Sequence, residues 1–105
     1  MKEIKIYKTL SGKEPYLVWY LSLDNSQKII VSKRLQRIKI NNYGEYKDLG
    51  AGLKELRFQN GIRIYFTETE NVIVILFNGG GKTRQSKDIE KAKEYLIEYR
   101  ERNKL

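Results

Sequence analysis

Residues 53–66 read L-K-E-L-R-F-Q-N-G-I-R-I-Y-F, and their pairing decides the fold. Leu53 to Phe58 sets Leu56 and Phe58 against Glu55 and Arg57; Ile62 to Thr67 sets Ile62, Ile64 and Phe66 against Arg63, Tyr65 and Thr67. A period of two is the signature of a half-buried strand. Gln59-Asn60-Gly61 lies between them. A two-residue Asn-Gly turn is the preferred short connection, but it would set Phe58 against Arg63 and Arg57 against Ile64, mixing charge into the apolar face. A three-residue loop, with Gly61 in the left-handed conformation, pairs Phe58 with Ile62, Arg57 with Arg63, Leu56 with Ile64 and Glu55 with Tyr65. The faces then separate, and because a one-residue slip exchanges every face, this register is the expected one. It makes Arg57 and Arg63 cross-strand neighbours. Like charges so placed cost a few tenths of a kcal/mol. An anion between them reverses the sign; the alternative is that both turn into water with Glu55 compensating.

Downstream, Glu68 to Asn71 reads as a turn, and Val72 to Phe77 is apolar on both faces, as suits a central strand covered on both sides. Residues 77–87, F-N-G-G-G-K-T-R-Q-S-K, follow. A nucleotide-binding phosphate loop needs G-x-x-x-x-G-K-[ST]. Gly81-Lys82-Thr83 supplies its tail, but the first required glycine falls on Leu76, and the chain ends too soon for a parallel αβ series. The motif is rejected. A glycine-rich loop still exposes backbone N–H groups to a ligand. Lys82 and Arg84 add cations beside the hairpin that carries Arg57 and Arg63. This combination reads as a polyphosphate or RNA-backbone site; the plain alternative is a flexible strand-to-helix connection. From about Ser86 the pattern turns helical, with Ile89, Ala92, Leu96 and Tyr99 on one stripe, Asp88 and Glu90 near the start, and Arg100 and Arg102 near the end.

Upstream, Glu3 to Lys8 alternates and predicts a short first strand. Pro15 suits the first turn of a helix. Tyr16, Val18, Trp19, Tyr20, Leu21 and Leu23 follow so densely that this helix is expected to be largely buried. Asp24, Asn25 and Ser26 end it and can cap a second helix, from about Ser26 to Asn41, with Ile30, Val31, the Arg34 stem, Leu35 and Ile38 at helical spacing. No acidic residue occurs from Gln27 to Asn42, while Lys28, Lys33, Arg34, Arg37 and Lys39 are basic, so its outer face is expected to be a positive stripe. Residues 41–52, with Gly44, Gly50 and Gly52, read as a loop. The order is strand, two helices, three strands, helix. It predicts an α+β fold, a small curved and mainly antiparallel sheet of about four strands with two N-terminal helices and one C-terminal helix.

The chain has 105 residues, a length that predicts one compact domain over 1–105. With no cysteine there is no disulfide, thiolate metal site or cysteine nucleophile. With no histidine, acid–base chemistry falls to Lys, Arg, Tyr, Asp or Glu. Charges interrupt the N-terminal apolar residues, so no signal peptide is expected, and no run suits a membrane span. A cytoplasmic protein with no metal, no cofactor and no membrane partner is expected. Lysine and arginine number 21 against 13 acidic residues, a formal +8, which favours a polyanionic partner.

The runs G-L-K-E-L-R-F-Q-N-G-I-R-I-Y-F and V-I-V-I-L-F-N-G-G-G-K-T-R-Q-S-K-D-I-E-K-A-K-E-Y resemble the RelE/ParE superfamily of bacterial toxins, more narrowly its addiction-module killer proteins, related to HigB. That branch reads E-L-R-I, a glycine turn, Y-R-V-Y-F, an apolar strand, G-G-D-K-S-T-Q and D-I-x-x-A, and W-Y-x-S-L-D and R-L-x-R-I also match upstream. The resemblance spans roughly residues 15–100. It implies a toxin of a type II toxin–antitoxin pair, with a cognate antitoxin, of helix-turn-helix type, as partner. It also implies ribosome-dependent, metal-independent cleavage of mRNA, in which the RNA's own 2′-hydroxyl attacks the adjacent phosphate. By position, Arg63 matches the arginine of Y-R-V-Y, Arg57 that of E-L-R, and Lys82 the lysine of G-G-D-K; these three are the expected catalytic residues. Arg84, Thr83, Lys54, Tyr65, Lys33 and Arg37 are the expected RNA contacts. Gly81 stands where the branch has aspartate, and no tyrosine or histidine follows in the loop. The general base therefore stays open among Glu55, Tyr65 and Lys82. Two other readings stay open: a ParE-like, non-enzymatic toxin of DNA gyrase, and a catalytically inactive RNA-binding member.

Overall fold

A computed structural model of the protein describes residues 1–70 and 73–104. In chain order the elements are β1 (Glu3–Ile6), α1 (Pro15–Ser22), α2 (Asn25–Lys39), β2 (Tyr46–Gly50), β3 (Leu53–Arg57), β4 (Arg63–Thr69), β5 (Ile73–Gly80) and α3 (Gln85–Arg102). The strands form one mixed five-stranded sheet in the order β1-β5-β4-β3-β2. β1 runs parallel to β5, and the other pairs are antiparallel. The fold is α+β, as expected, with one strand more than expected.

The added strand is β2, in a segment read as loop. Its residues are mostly exposed, and it lies at the sheet edge against β3. An edge strand with solvent on both sides needs no apolar face, so it leaves no alternation to read. β1 ends at Ile6 rather than Lys8. Val72 and Asn71, assigned to a strand start and a turn, lie outside the described residues.

The central hairpin has the expected register: Arg57 pairs with Arg63, Leu56 with Ile64 and Glu55 with Tyr65. Phe58 N–H donates to Ile62 O at 3.0 Å, which closes the loop over Gln59–Gly61. Gly61 has φ +90°, a conformation that costs any residue with a Cβ. One sheet face carries Leu56, Phe58, Ile62, Ile64, Phe66, Val74 and Leu76 and packs with Tyr16, Val31 and Ile38 of α1 and α2. The other carries Leu53, Tyr65, Ile75 and Phe77 under Ala92 and Leu96 of α3, with Tyr7.

Two burial expectations are corrected. α1 is not largely buried: Tyr16 is, but Val18 and Leu21 are 68% and 61% exposed, since one face of this short helix meets the sheet. Arg34 is not on the outer stripe of α2. It is buried, and its guanidinium donates to Tyr43 O, Arg57 O and Glu45 O at 2.8, 2.8 and 2.6 Å. Asp24 caps α2, its Oδ1 accepting from Gln27 N–H at 2.8 Å.

Candidate functional site

The glycine run is shorter as a loop than its sequence implies. β5 continues through Gly80, which pairs with Arg63, while Gly79 pairs with Ile64. A Cβ built on Gly79 would lie 2.4 Å from a ring carbon of Trp19, and one on Gly80 would lie 2.0 Å from Asp88 Oδ2. Real Cβ atoms do not approach so closely. Gly79 thus admits the indole on one sheet face, and Gly80 admits the α3 carboxylate on the other. A Cβ on Gly81 would meet nothing within 4 Å. Two of the three glycines are explained by packing, and Gly81 alone stands in the connection.

β3 and β4 bring Arg57 and Arg63 side by side, and Glu55 supplies the compensating charge. Glu55 is fully buried. Its Oε1 accepts from Arg57 Nε at 2.8 Å; its Oε2 accepts from Tyr65 OH at 3.0 Å and Gln85 Nε2 at 2.9 Å, and lies 4.0 Å from Arg63 Nε. Burial alone would raise the Glu55 pKa, but the hydrogen bonds from Arg57, Gln85 and Tyr65 outweigh it and hold the carboxyl below its ordinary value. Burial, reinforced by the Glu55 charge, pushes the Tyr65 phenol well above its usual range. Arg63 Nε is buried and has no hydrogen-bond partner among the described residues. The backbone of Arg57 is held as well, with its N–H donating to Glu45 O at 3.0 Å and its carbonyl accepting from Arg34.

Lys82 reaches the same end of the sheet. A Cβ on Gly61 would lie 3.4–3.6 Å from three carbons of the Lys82 stem, so this side chain lies along the hairpin tip. Thr83 and Arg84 are exposed beside it, and Arg84 is the cap residue of α3. The structure brings Arg57 and Arg63 together and sets Lys82 at the hairpin tip, with Thr83 and Arg84 following it in the chain.

The other expected contacts lie elsewhere. Tyr65 is fully buried and commits its hydroxyl to Glu55, so its expected place among the RNA contacts is corrected to a support beneath the arginines. Lys54 pairs with Phe66, and its Nζ lies 5.8 Å from the Tyr46 ring centroid, on the face opposite Glu55 and Arg57. Lys33 and Arg37 line a separate groove of about 390 Å³ on the α2 side, with Ile30, Phe58 and Asn60. Gln85 and Asp88 went unforeseen, because only folding brings α3 to the hairpin. Burial raises the Asp88 pKa, a shift partly offset by Arg84. Among the described residues no cluster of three or more His, Cys, Asp or Glu could hold a metal ion, and no helix is long and apolar enough to cross a membrane.

A fixed pair of guanidinium groups with an adjacent flexible amine suits a phosphodiester. Arginine binds two phosphate oxygens at once, and donors fixed in advance need no reorganisation when charge builds up. Among known proteins, an uncharacterized protein of Haemophilus influenzae is 37% identical over 78 residues, an alignment covering 71% of this chain and 79% of that protein. The chain belongs to the same family as this protein. No family model matches the sequence.

Proposed function

We propose that this protein is the toxin of a bacterial type II toxin–antitoxin pair, of the RelE/ParE superfamily and its HigB-like branch, and that it cleaves mRNA on the ribosome. One observation carries the reading: Arg57 and Arg63 face each other at the hairpin end, with the Glu55 carboxylate between them, Lys82 at the tip and the Arg63 Nε without a hydrogen bond among the described residues. The three-helix, five-stranded α+β architecture is compatible with such a toxin.

In the proposed reaction the RNA 2′-oxygen forms a bond to the adjacent phosphorus while the bond to the 5′-oxygen breaks. The products are a 2′,3′-cyclic phosphate and a 5′-hydroxyl. Arg63 binds the phosphate and stabilises the charge that grows on it, and Arg57 is the second phosphate ligand. Glu55 is a poor base, because its carboxylate is buried, held in the weakly basic form and shared among three donors. Tyr65 is buried and holds its proton. Lys82 is the remaining proton-transfer group: its amine gives a proton to the departing 5′-oxygen, and the 2′-hydroxyl proton passes to water. The protein works in the cytoplasm, and its antitoxin, of helix-turn-helix type, covers the basic end of the sheet.

The test is induction in growing bacteria without antitoxin, with 5′-end mapping of a translated message. New cuts within translated codons are expected. The Arg63→Ala protein, shown to be folded, loses roughly 100-fold or more in cleavage. Growth arrest without cuts overturns the nuclease in favour of a gyrase-directed toxin. Neither effect, from folded protein, means an inactive RNA-binding member.

A further inference from the structure

A second groove, of about 440 Å³, adjoins the Lys33–Arg37 groove at Gln59 and Asn60, which line both. That volume is within the range of small-ligand sites, roughly 300–1,000 Å³. It lies between the α1–α2 junction and the β5–α3 connection, and its principal lining residues are Trp19, Gln27, Gln59, Asn60, Gly81 and Lys82.

Its chemistry is specific in kind. Trp19 is half-buried, with its six-membered ring seated against the Gly79 backbone. An indole on so rigid a support offers a stacking surface that requires no rearrangement. Gln27, Gln59 and Asn60 bring three side-chain amides, each a donor and an acceptor, as the edge of a base requires. Asn60 Oδ1 accepts from Ile62 N–H at 3.1 Å, which fixes that side chain and leaves its Nδ2 donors uncommitted. The Lys82 stem forms the wall toward the hairpin, and a Cβ on Gly81 would meet nothing within 4 Å, so the backbone there is open to approach. No acidic side chain lines the groove among the described residues.

We propose that this groove receives an unpaired base of the RNA strand, stacked on Trp19 and read at its edge by Gln27, Gln59 and Asn60, while Lys82 meets the phosphate between that base and the Arg57–Arg63 pair. The inference rests on the RNA reading of the arginine site, and it deepens that reading by placing a base-binding subsite across the hairpin tip from the Arg57–Arg63 pair. Base preference is then set on α2 and the hairpin tip, apart from the groups that stabilise the phosphate.

Trp19 is the single tryptophan, so its emission reports this groove alone. The probe is a fluorescein-labelled 2′-O-methyl hexaribonucleotide, which lacks the attacking hydroxyl and stays intact. An abasic hexanucleotide of equal charge is the control. Saturable change of Trp19 emission by the first and not the second is expected. Gln27→Ala and Gln59→Ala are expected to weaken binding roughly fivefold or more, the loss of part of one base contact, with circular dichroism unchanged. Trp19→Phe keeps a stacking ring and is expected to keep most of the affinity, read by anisotropy of the label, while the emission signal disappears. The proposal is overturned if the hexanucleotide binds by anisotropy without altering Trp19, if both amide variants bind as the parent does, or if the abasic chain binds equally well. In each of these cases RNA still binds, and the mapped cuts of induced protein judge the nuclease reading separately.

Discussion

Glu55 is bonded to Arg57 and lies 4.0 Å from Arg63, so one carboxylate faces both guanidinium groups. Two arginines opposed across strands repel each other, and the Glu55 carboxylate between them turns that repulsion into attraction. Removing one partner of a buried charged network leaves the others uncompensated. Glu55→Gln keeps the size and removes the charge, and it should destabilise the fold by about 2–4 kcal/mol, read as a lower urea midpoint with an unchanged slope. The same group sets an acid limit. Its folded pKa lies below the ordinary 4.5, so its stabilisation is fully present above that value and is lost as pH falls through the folded value. Glu68, held down against its own burial by hydrogen bonds from Lys2 and Tyr43, acts with the same sign. Urea midpoints should therefore fall steadily below about pH 4.5, and Glu55→Gln should flatten that fall. Equal pH profiles for parent and variant would contradict this account.

At the scale of elements, the strand end β5 and the helix α2 make separable claims. Gly79 and Gly80 are small because α1 and α3 press on both faces of β5. Gly79→Ala drives a methyl into the Trp19 ring, and overpacking of this kind costs about 1–3 kcal/mol; a shift in Trp19 emission should accompany it. Gly80→Ala meets only the end of one carboxylate and should cost less. Gly81→Ala should change the urea midpoint by less than the equivalent of about 0.5 kcal/mol. Equal costs at Gly79 and Gly81 would mean that the run serves something other than packing. Arg34 ties α2 to two carbonyls of the 43–45 segment and to the end of β3, and its guanidinium lies 4.7 Å from the Phe58 ring centroid. A lysine amine cannot reproduce that planar fork. Arg34→Lys should cost about 1–3 kcal/mol in thermal or urea unfolding and, by loosening the end of β3, reduce cleavage along with stability.

For the whole molecule the relevant quantity is a formal charge of +8 on a small domain. Six of its 21 cations form two sets near the hairpin: Arg57, Arg63, Lys82 and Arg84 at the hairpin and loop, and Lys33 and Arg37 in the α2 groove. If three to five of them meet phosphates, the affinity for single-stranded RNA should fall with a log–log salt slope of about −2 to −4. Arg63→Ala should reduce the slope by about 0.7, and Lys54→Ala, remote from both sets, should leave it unchanged. A slope near zero would mean that the net charge serves solubility alone.

The sequence by itself determined the helices, the central hairpin and its register. These follow from short-range rules: the period of two in 53–66, the single left-handed position at Gly61, and helical spacing bounded by Pro15 and Asp24. The pairing of Arg57 with Arg63 was legible for the same reason, since a register error would have moved every neighbour to the wrong face. Tertiary structure alone decided what those arginines meet. Gln85 lies 30 positions from Glu55 along the chain, and no local pattern joins Trp19 to Gly79 or Asp88 to Gly80. The edge strand β2 left no signal because its side chains are mostly solvated on both sides. The Arg34 stem fell on the apolar spacing of α2, but only packing showed that its guanidinium is buried too, among carbonyls. Local periodicity specifies which face a residue takes, whereas the partner waiting on that face is specified only when distant segments are brought together.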